Sequence, residues 1–158
     1  METEAKEIVQ KLTEKHQTIA SMESCTGGGF ANAITNIEGA SEVLHFSAVT
    51  YCNEYKIKMG VPKEVIETHT VYSLETAKAM SEAIANFSEA DYGIGITGKI
   101  NRSDKNNEAG KDNMVYVSIF EKAKQHFLTS SMEVKIGSRK ENKDFIIQNI
   151  LYLLKKLI

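Results

Sequence analysis

Four side chains in this sequence have the types that nucleophilic chemistry needs: Ser24, Ser41, Tyr51 and Lys56. A serine attacks only when a base takes its proton. No histidine is placed for that work, because His16, His45, His69 and His126 are scattered along the chain. A lysine can serve instead, provided that burial leaves it neutral. Spacing alone leaves two readings open. In one, the four groups converge at one edge of a sheet. In the other, Lys56 is a surface lysine and Ser41 caps a short helix.

The stretch that would gather them is Ser21-Met-Glu-Ser-Cys-Thr-Gly-Gly-Gly-Phe30. Thr18-Ile19-Ala20 before it reads as a strand, and Phe30, Ala33, Ile34 and Ile37 recur at helical spacing. The stretch is therefore the turn between a strand and a helix. Unpaired backbone N–H groups at a helix start attract anions, and glycine lets a ligand approach them. In open α/β folds, ligands lie outside the carboxyl ends of the strands. The turn is expected to form one wall of a small-molecule site.

The elements that must position these groups follow from periodicity. Residues 2–15 carry Ala5, Ile8, Val9 and Leu12 among charges, an amphipathic helix. Strands are expected at about 17–22, 46–51 and 91–97, then at 114–121 and 127–136 as a hairpin with a lysine-rich turn. Ser73 reads as the N-cap of a helix striped by Ala77, Met80, Ala83, Ile84 and Phe87. A last helix from about Lys140 buries Ile146, Ile150, Leu153, Leu154 and Leu157. Gly93 and Gly95 leave one face of the third strand small, for close packing or for a ligand. Residues 98–112 have almost no apolar content and approach the upper length of ordinary loops. Helices that alternate with strands, followed by a hairpin and a closing helix, predict a three-layer α/β/α sandwich. Its mixed sheet of about five strands should be mostly parallel with one antiparallel strand.

Composition narrows the function classes. The 158 residues are expected to form one domain spanning 1–158. An apolar content of 42% and a charged content of 25% are ordinary for a soluble protein. A net charge of −2 gives no global basic field for nucleic acid. No apolar run approaches the roughly 20 residues of a membrane span. The N-terminus reads as a helix rather than a signal peptide. Cys25 and Cys52 read as two reduced thiols, so a cytoplasmic protein is expected. The phosphate loop, dinucleotide fingerprint and nucleophile elbow are all missing, and the histidines make no metal spacing.

Several runs resemble the CinA C-terminal domain family. Met22-Glu-Ser-Cys-Thr-Gly-Gly28 looks like its Glu-Ser-Cys-Thr-Gly-Gly signature. Val49-Thr-Tyr-Cys-Asn-Glu-Tyr-Lys56 resembles its Val-Thr-Tyr-Ser-Asn-Glu-x-Lys block. Ile37-Glu-Gly-Ala-Ser41 is similar to its Gly-Ser-Ser segment, Val71-Tyr-Ser73 to Ala-Val-Ser, and Ile94-Gly-Ile-Thr-Gly98 to the start of its Thr-Gly-Ile-Ala-Gly-Pro loop. The resemblance covers nearly the whole chain and implies the same three-layer fold. Stand-alone members are nicotinamide-nucleotide amidases of NAD metabolism. They hydrolyse nicotinamide mononucleotide to nicotinate mononucleotide and ammonia with a Ser/Lys dyad; no cofactor or metal is expected for this chain. By motif, Ser41 would be the nucleophile and Lys56 the base, with Tyr51 and Ser24 in support. Thr26, Gly27 and Gly28 would offer donors to a phosphate or an oxyanion, and Thr97 and Gly98 would line the substrate. Arg139, in Gly137-Ser-Arg139, would contact phosphate or carboxamide. A homo-oligomer is implied, and the pyrophosphatase-like domain of longer members has no expected counterpart here.

The chain also departs from that pattern. The family's Gly/Pro-rich loop after the third strand is replaced by Gly98-Lys-Ile-Asn-Arg102, and its Lys-Pro-Val-Gly-Thr-Val block by Lys111-Asp-Asn-Met-Val115. Lys143 stands where a second arginine is usual. Lys99, Arg102, Lys105 or Lys111 could replace lost backbone donors by charge. Two alternatives to the amidase follow: a catalytically degenerate nucleotide-binding or regulatory domain, and an amidase for another small amide.

Overall fold

The structure, a computed structural model, describes residues 1–101, 109–135 and 137–158. The elements run α1 (Glu2–Lys15), β1 (Ile19–Glu23), α2 (Gly29–Thr35), a 3-10 turn (Ala40–Glu42), β2 (Leu44–Val49), α3 (Asn53–Lys58), α4 (Lys63–His69), α5 (Leu74–Ser88), β3 (Tyr92–Gly98), β4 (Met114–Glu121), β5 (His126–Glu133) and α6 (Arg139–Leu157). The five strands form one sheet in the order β2-β1-β3-β4-β5. β1 pairs in parallel with both β2 and β3. β4 is antiparallel to β3 and to β5, so it alone runs against the other four. This is the expected mixed sheet with one reversed strand.

Helices cover both faces. Apolar residues of α1, α2 and α6 share one core with Ile19, Ile94 and Ile96. On the other face α5 sets Met80 and Ile84 against Ala20 and Met22. Every residue of β1 and β3 is buried, which is why these strands read as unbroken small and apolar runs rather than as alternating ones. The small face of β3 serves this packing rather than a ligand. A Cβ on Gly93 would strike the carbonyl oxygen of Ser81, and one on Gly95 that of Ala77, so α5 lies directly on the strand. A buried hydroxyl pair, Ser81 to Ser118 at 2.9 Å, ties α5 to β4.

Two local expectations are corrected, and one helix is added. Ser41 does not cap a helix; it lies inside the 3-10 turn, which Gly39 enters in the left-handed conformation with φ 84°. The polar run after Tyr51 is a helix, α3, with Lys56 as its buried residue. Phe87 closes the predicted apolar stripe of α5 but stands 60% exposed, its ring 5.2 Å from that of Phe46 on the edge strand β2. Ser73 caps α5 as read, accepting from the Thr76 amide.

Candidate active site

The site is built at the carboxyl ends of β1 and β2, and its organiser is Glu23. The Glu23 carboxylate is buried at the last position of β1. It accepts from Thr26 Oγ1 at 2.7 Å, from the Phe30 amide at 3.1 Å and from the Ala31 amide at 2.9 Å. Ser21 Oγ lies 3.2 Å away on its other side and reaches Ser47 of β2 at 2.9 Å. The orphan amides at the start of α2 are thus satisfied by the chain's own carboxylate, not left open for a ligand. The turn between is closed by Gly27 N–H to Ser24 O (3.0 Å) and Gly29 N–H to Thr26 O (3.3 Å). Gly27 and Gly28 take φ of 62° and 91°, the left-handed region that glycine enters without cost.

That turn presents Ser24 to Lys56. Lys56 is 1% exposed and Ser24 9% exposed. Lys56 Nζ donates to the Thr50 carbonyl at 2.7 Å and lies 3.2 Å from Ser24 Oγ. The Thr50 amide donates to Glu23 O at 2.8 Å, so β1 and β2 stay joined one step past the last ladder residue. Thr50 Oγ1 is buried and has no hydrogen-bond partner.

A second pair closes the rim. Tyr51 is 61% exposed, and its hydroxyl accepts from Arg139 Nη2 at 2.9 Å. Arg139 Nη1 donates to the Ile100 carbonyl. Arg139 opens α6, whose start is fixed by a capping box between Ser138 and Glu141. Burial pushes the Cys25 thiol up to about 12, and the charge of Arg139 pulls the other way. Arg139 therefore lies near the turn.

Not every expected site residue is here. Ser41 is exposed and precedes β2, whereas Lys56 follows it. Six extended residues separate the two ends of that strand, a distance of about 20 Å. The expected Ser41–Lys56 pair is therefore not brought together; Ser24 occupies that place. The Thr26 hydroxyl is committed to Glu23. The Thr97 hydroxyl, fully buried, donates to Val71 O at 2.8 Å and anchors the approach to α5. At Gly98 a Cβ would meet Met114 O, so the glycine serves the pairing of β3 with β4. Lys99 is buried, donates to Gly110 O and sits over the Tyr72 ring. Lys111 pairs with Glu133 on the hairpin. Arg102 and Lys105 lie outside the described residues. Among the described residues no three His, Cys, Asp or Glu side chains are grouped as metal ligands.

The sequence reading missed Glu23 as a structural centre and Thr50 as the carbonyl that holds Lys56. A carboxylate placed seven and eight residues ahead of two helix-start amides is a local signal for the first. The second has none, because it depends on how α3 folds back.

The family model for the CinA C-terminal domain matches residues 1–158. The chain belongs to that family. It is similar to a CinA-like protein of Endomicrobium trichonymphae, 35% identical over 149 residues, covering 92% of this chain and 33% of that protein. A CinA-like protein of Desulforapulum autotrophicum is 42% identical over 97 residues, 61% of this chain and 23% of its own length. The chain thus spans about a quarter to a third of the curated CinA relatives it matches. The crystal structure of competence/damage inducible protein CihA from Agrobacterium tumefaciens superposes with a TM-score of 0.89 at 26% identity, covering 99% of this chain and 94% of that one. No helix among the described residues of this CinA domain is long and apolar enough to cross a membrane.

Proposed function

We propose that this CinA domain hydrolyses the carboxamide of nicotinamide mononucleotide to nicotinate mononucleotide and ammonia, with Ser24 as nucleophile and Lys56 as base. The observation that carries the reading is the buried contact of 3.2 Å between Lys56 Nζ and Ser24 Oγ. A serine next to an amine that is withheld from water has both parts of an acyl-transfer dyad. Removal from water favours the neutral amine that can accept a proton.

Ser24 Oγ attacks the amide carbon while Lys56 takes its proton. The tetrahedral intermediate collapses as that proton passes to the amide nitrogen, and ammonia leaves. Water then attacks the acyl-serine ester, giving its proton to Lys56, which returns one to Ser24 as the acid departs. Backbone amides of the glycine turn serve the oxyanion; those of Thr26 and Gly28 make no hydrogen bond among the described residues. The Thr50 carbonyl fixes Lys56 Nζ, and Arg139 fixes the Tyr51 hydroxyl at the rim.

The test is chromatographic identification of nicotinate mononucleotide after incubation with the amide. Turnover of a different small amide in its place moves the substrate assignment but keeps the dyad. Tight nucleotide binding without any product would instead mark a binding or regulatory domain.

A further inference from the structure

Thr50 carries a hydroxyl that the fold does not use. Its backbone is committed on both sides: the amide donates to Glu23 O at 2.8 Å, and the carbonyl accepts from Lys56 Nζ at 2.7 Å. Its side chain is 2% exposed, and Oγ1 makes no hydrogen bond among the described residues. A hydroxyl withheld from water without a partner is a net cost to folding. Valine has the same shape and avoids that cost, so packing alone does not ask for threonine here. Other buried hydroxyls of the strands are paired: Ser21 with Ser47, Ser118 with Ser81, and Thr97 with Val71 O.

Register sets where this hydroxyl lies. The last ladder pair of β1 and β2 is Glu23 with Val49. The hydrogen bond from Thr50 N–H to Glu23 O carries the pairing one step further, which puts Thr50 beside Ser24. Side chains alternate along a strand. Glu23 and Val49 face α2: the Glu23 carboxylate takes its first amides, and Val49 Cγ2 lies 3.5 Å from where a Cβ on Gly28 would be. Ser24 and Thr50 therefore turn to the opposite face. That is the face of α3, because Val61, whose amide donates to Lys56 O, packs there with Met22 and Met80. Neighbouring strands lie about 4.8 Å apart. Two hydroxyls at roughly that spacing are too far apart to bond to each other, but one water spans them with ordinary hydrogen bonds. Lys56 Nζ, 3.2 Å from Ser24 Oγ, supplies the third polar partner that a buried water takes.

We infer that the Thr50 hydroxyl binds the water that hydrolyses the acyl-serine intermediate. One O–H of the water donates to Thr50 Oγ1 and the other to neutral Lys56 Nζ, which leaves a lone pair of its oxygen for the acyl carbon on Ser24. As the new C–O bond forms, Lys56 takes the second proton. The tetrahedral intermediate then collapses, the bond to Ser24 Oγ breaks, and Lys56 returns the proton to that oxygen as the acid leaves. Thr50 orients the water and exchanges no proton. The inference rests on the serine–lysine dyad of the amidase reading, not on its substrate.

The experiment uses p-nitrophenyl acetate, an activated ester that acylates a reactive serine without nucleotide recognition. Release of p-nitrophenolate is followed by stopped flow for wild type, Thr50→Val and Thr50→Ser, with Ser24→Ala as the blank, and acetyl-Ser24 is read by mass spectrometry. Thr50→Val should keep the burst, slow the steady state about tenfold, the worth of one hydrogen bond, and accumulate acetyl-Ser24. Thr50→Ser should restore turnover. The Tm of Thr50→Val should equal or exceed that of wild type, because an unpaired buried hydroxyl is gone. Equal steady-state rates in wild type and Thr50→Val overturn the inference even if nicotinamide mononucleotide is hydrolysed. A lower Tm with a lost burst overturns it too, since the hydroxyl would then be structural, and so does a wild type whose Ser24 is never acetylated. Acetyl-Ser24 trapped in Thr50→Val, with no ammonia released from nicotinamide mononucleotide by wild type, upholds the inference and removes the amidase reading instead.

Discussion

Lys56 Nζ, buried at the carboxyl ends of β1 and β2, lies 3.2 Å from Ser24 Oγ and 2.7 Å from the Thr50 carbonyl. Those two contacts fix an amine in line with a hydroxyl. Lys56→Met keeps the length of the side chain and removes the base. Steady-state ammonia release should fall by about 10²–10⁴-fold, the usual worth of a general base. Circular dichroism should show an unchanged fold. A rate within threefold of wild type would take Lys56 out of the mechanism.

Glu23 holds the turn rather than the substrate. Glu23→Ala strips the acceptor from Thr26, Phe30 and Ala31 and leaves their donors buried. The cost is about 3 kcal/mol, which lowers Tm by roughly 10 °C for a domain of this size. Thermal unfolding measures it directly. A loss under 1 kcal/mol would show that the carboxylate does not carry the turn.

Gly93 is held by helix packing. Gly93→Ala points a methyl at the Ser81 carbonyl oxygen, which is backbone and cannot step aside. It should destabilise by about 2 kcal/mol in chemical denaturation, within the range for overpacking. Gly39→Ala gives a contrast, because a Cβ there meets nothing within 4 Å, and only its φ of 84° opposes the change.

The two thiols should differ. Cys52 is exposed and Cys25 is buried. At pH 8 iodoacetamide should label Cys52 alone, and Cys25 only after unfolding, as read by mass spectrometry. Burial raises the Cys25 thiol from its ordinary 9.0 to about 12. The unfolded chain therefore loses that proton first. The contribution of Cys25 to stability is constant below pH 9 and falls as pH climbs from 9 toward 12. The difference between wild type and Cys25→Ala across that window isolates the effect; no difference would contradict it.

Much of this was legible from residues. The strand–turn–helix at Glu23–Gly29 follows from glycines after a small apolar run, and β4 is found at the residues expected. The reversed strand followed from a hairpin after alternating units. The dyad partner was not legible. Ser24 and Ser41 are both hydroxyls in small-residue turns, and only the third dimension separates them. Parallel pairing sends β2 the same way as β1, so the residues after the two strands meet at one end, while Ser41, before β2, lies at the other. α3 was hidden for a related reason. Its one inward side chain is a lysine, and a single buried charge among polar neighbours has no apolar period. The commitments of the Thr26 and Thr97 hydroxyls were equally invisible, because each bonds to a partner set by turn geometry or by a distant loop.

The most direct test of the account is ammonia release from nicotinamide mononucleotide by wild type, Ser24→Ala and Ser41→Ala, measured side by side. The account predicts release by wild type, near-complete loss in Ser24→Ala, and a rate within twofold of wild type in Ser41→Ala. Loss of activity in Ser41→Ala with Ser24→Ala still active would contradict it.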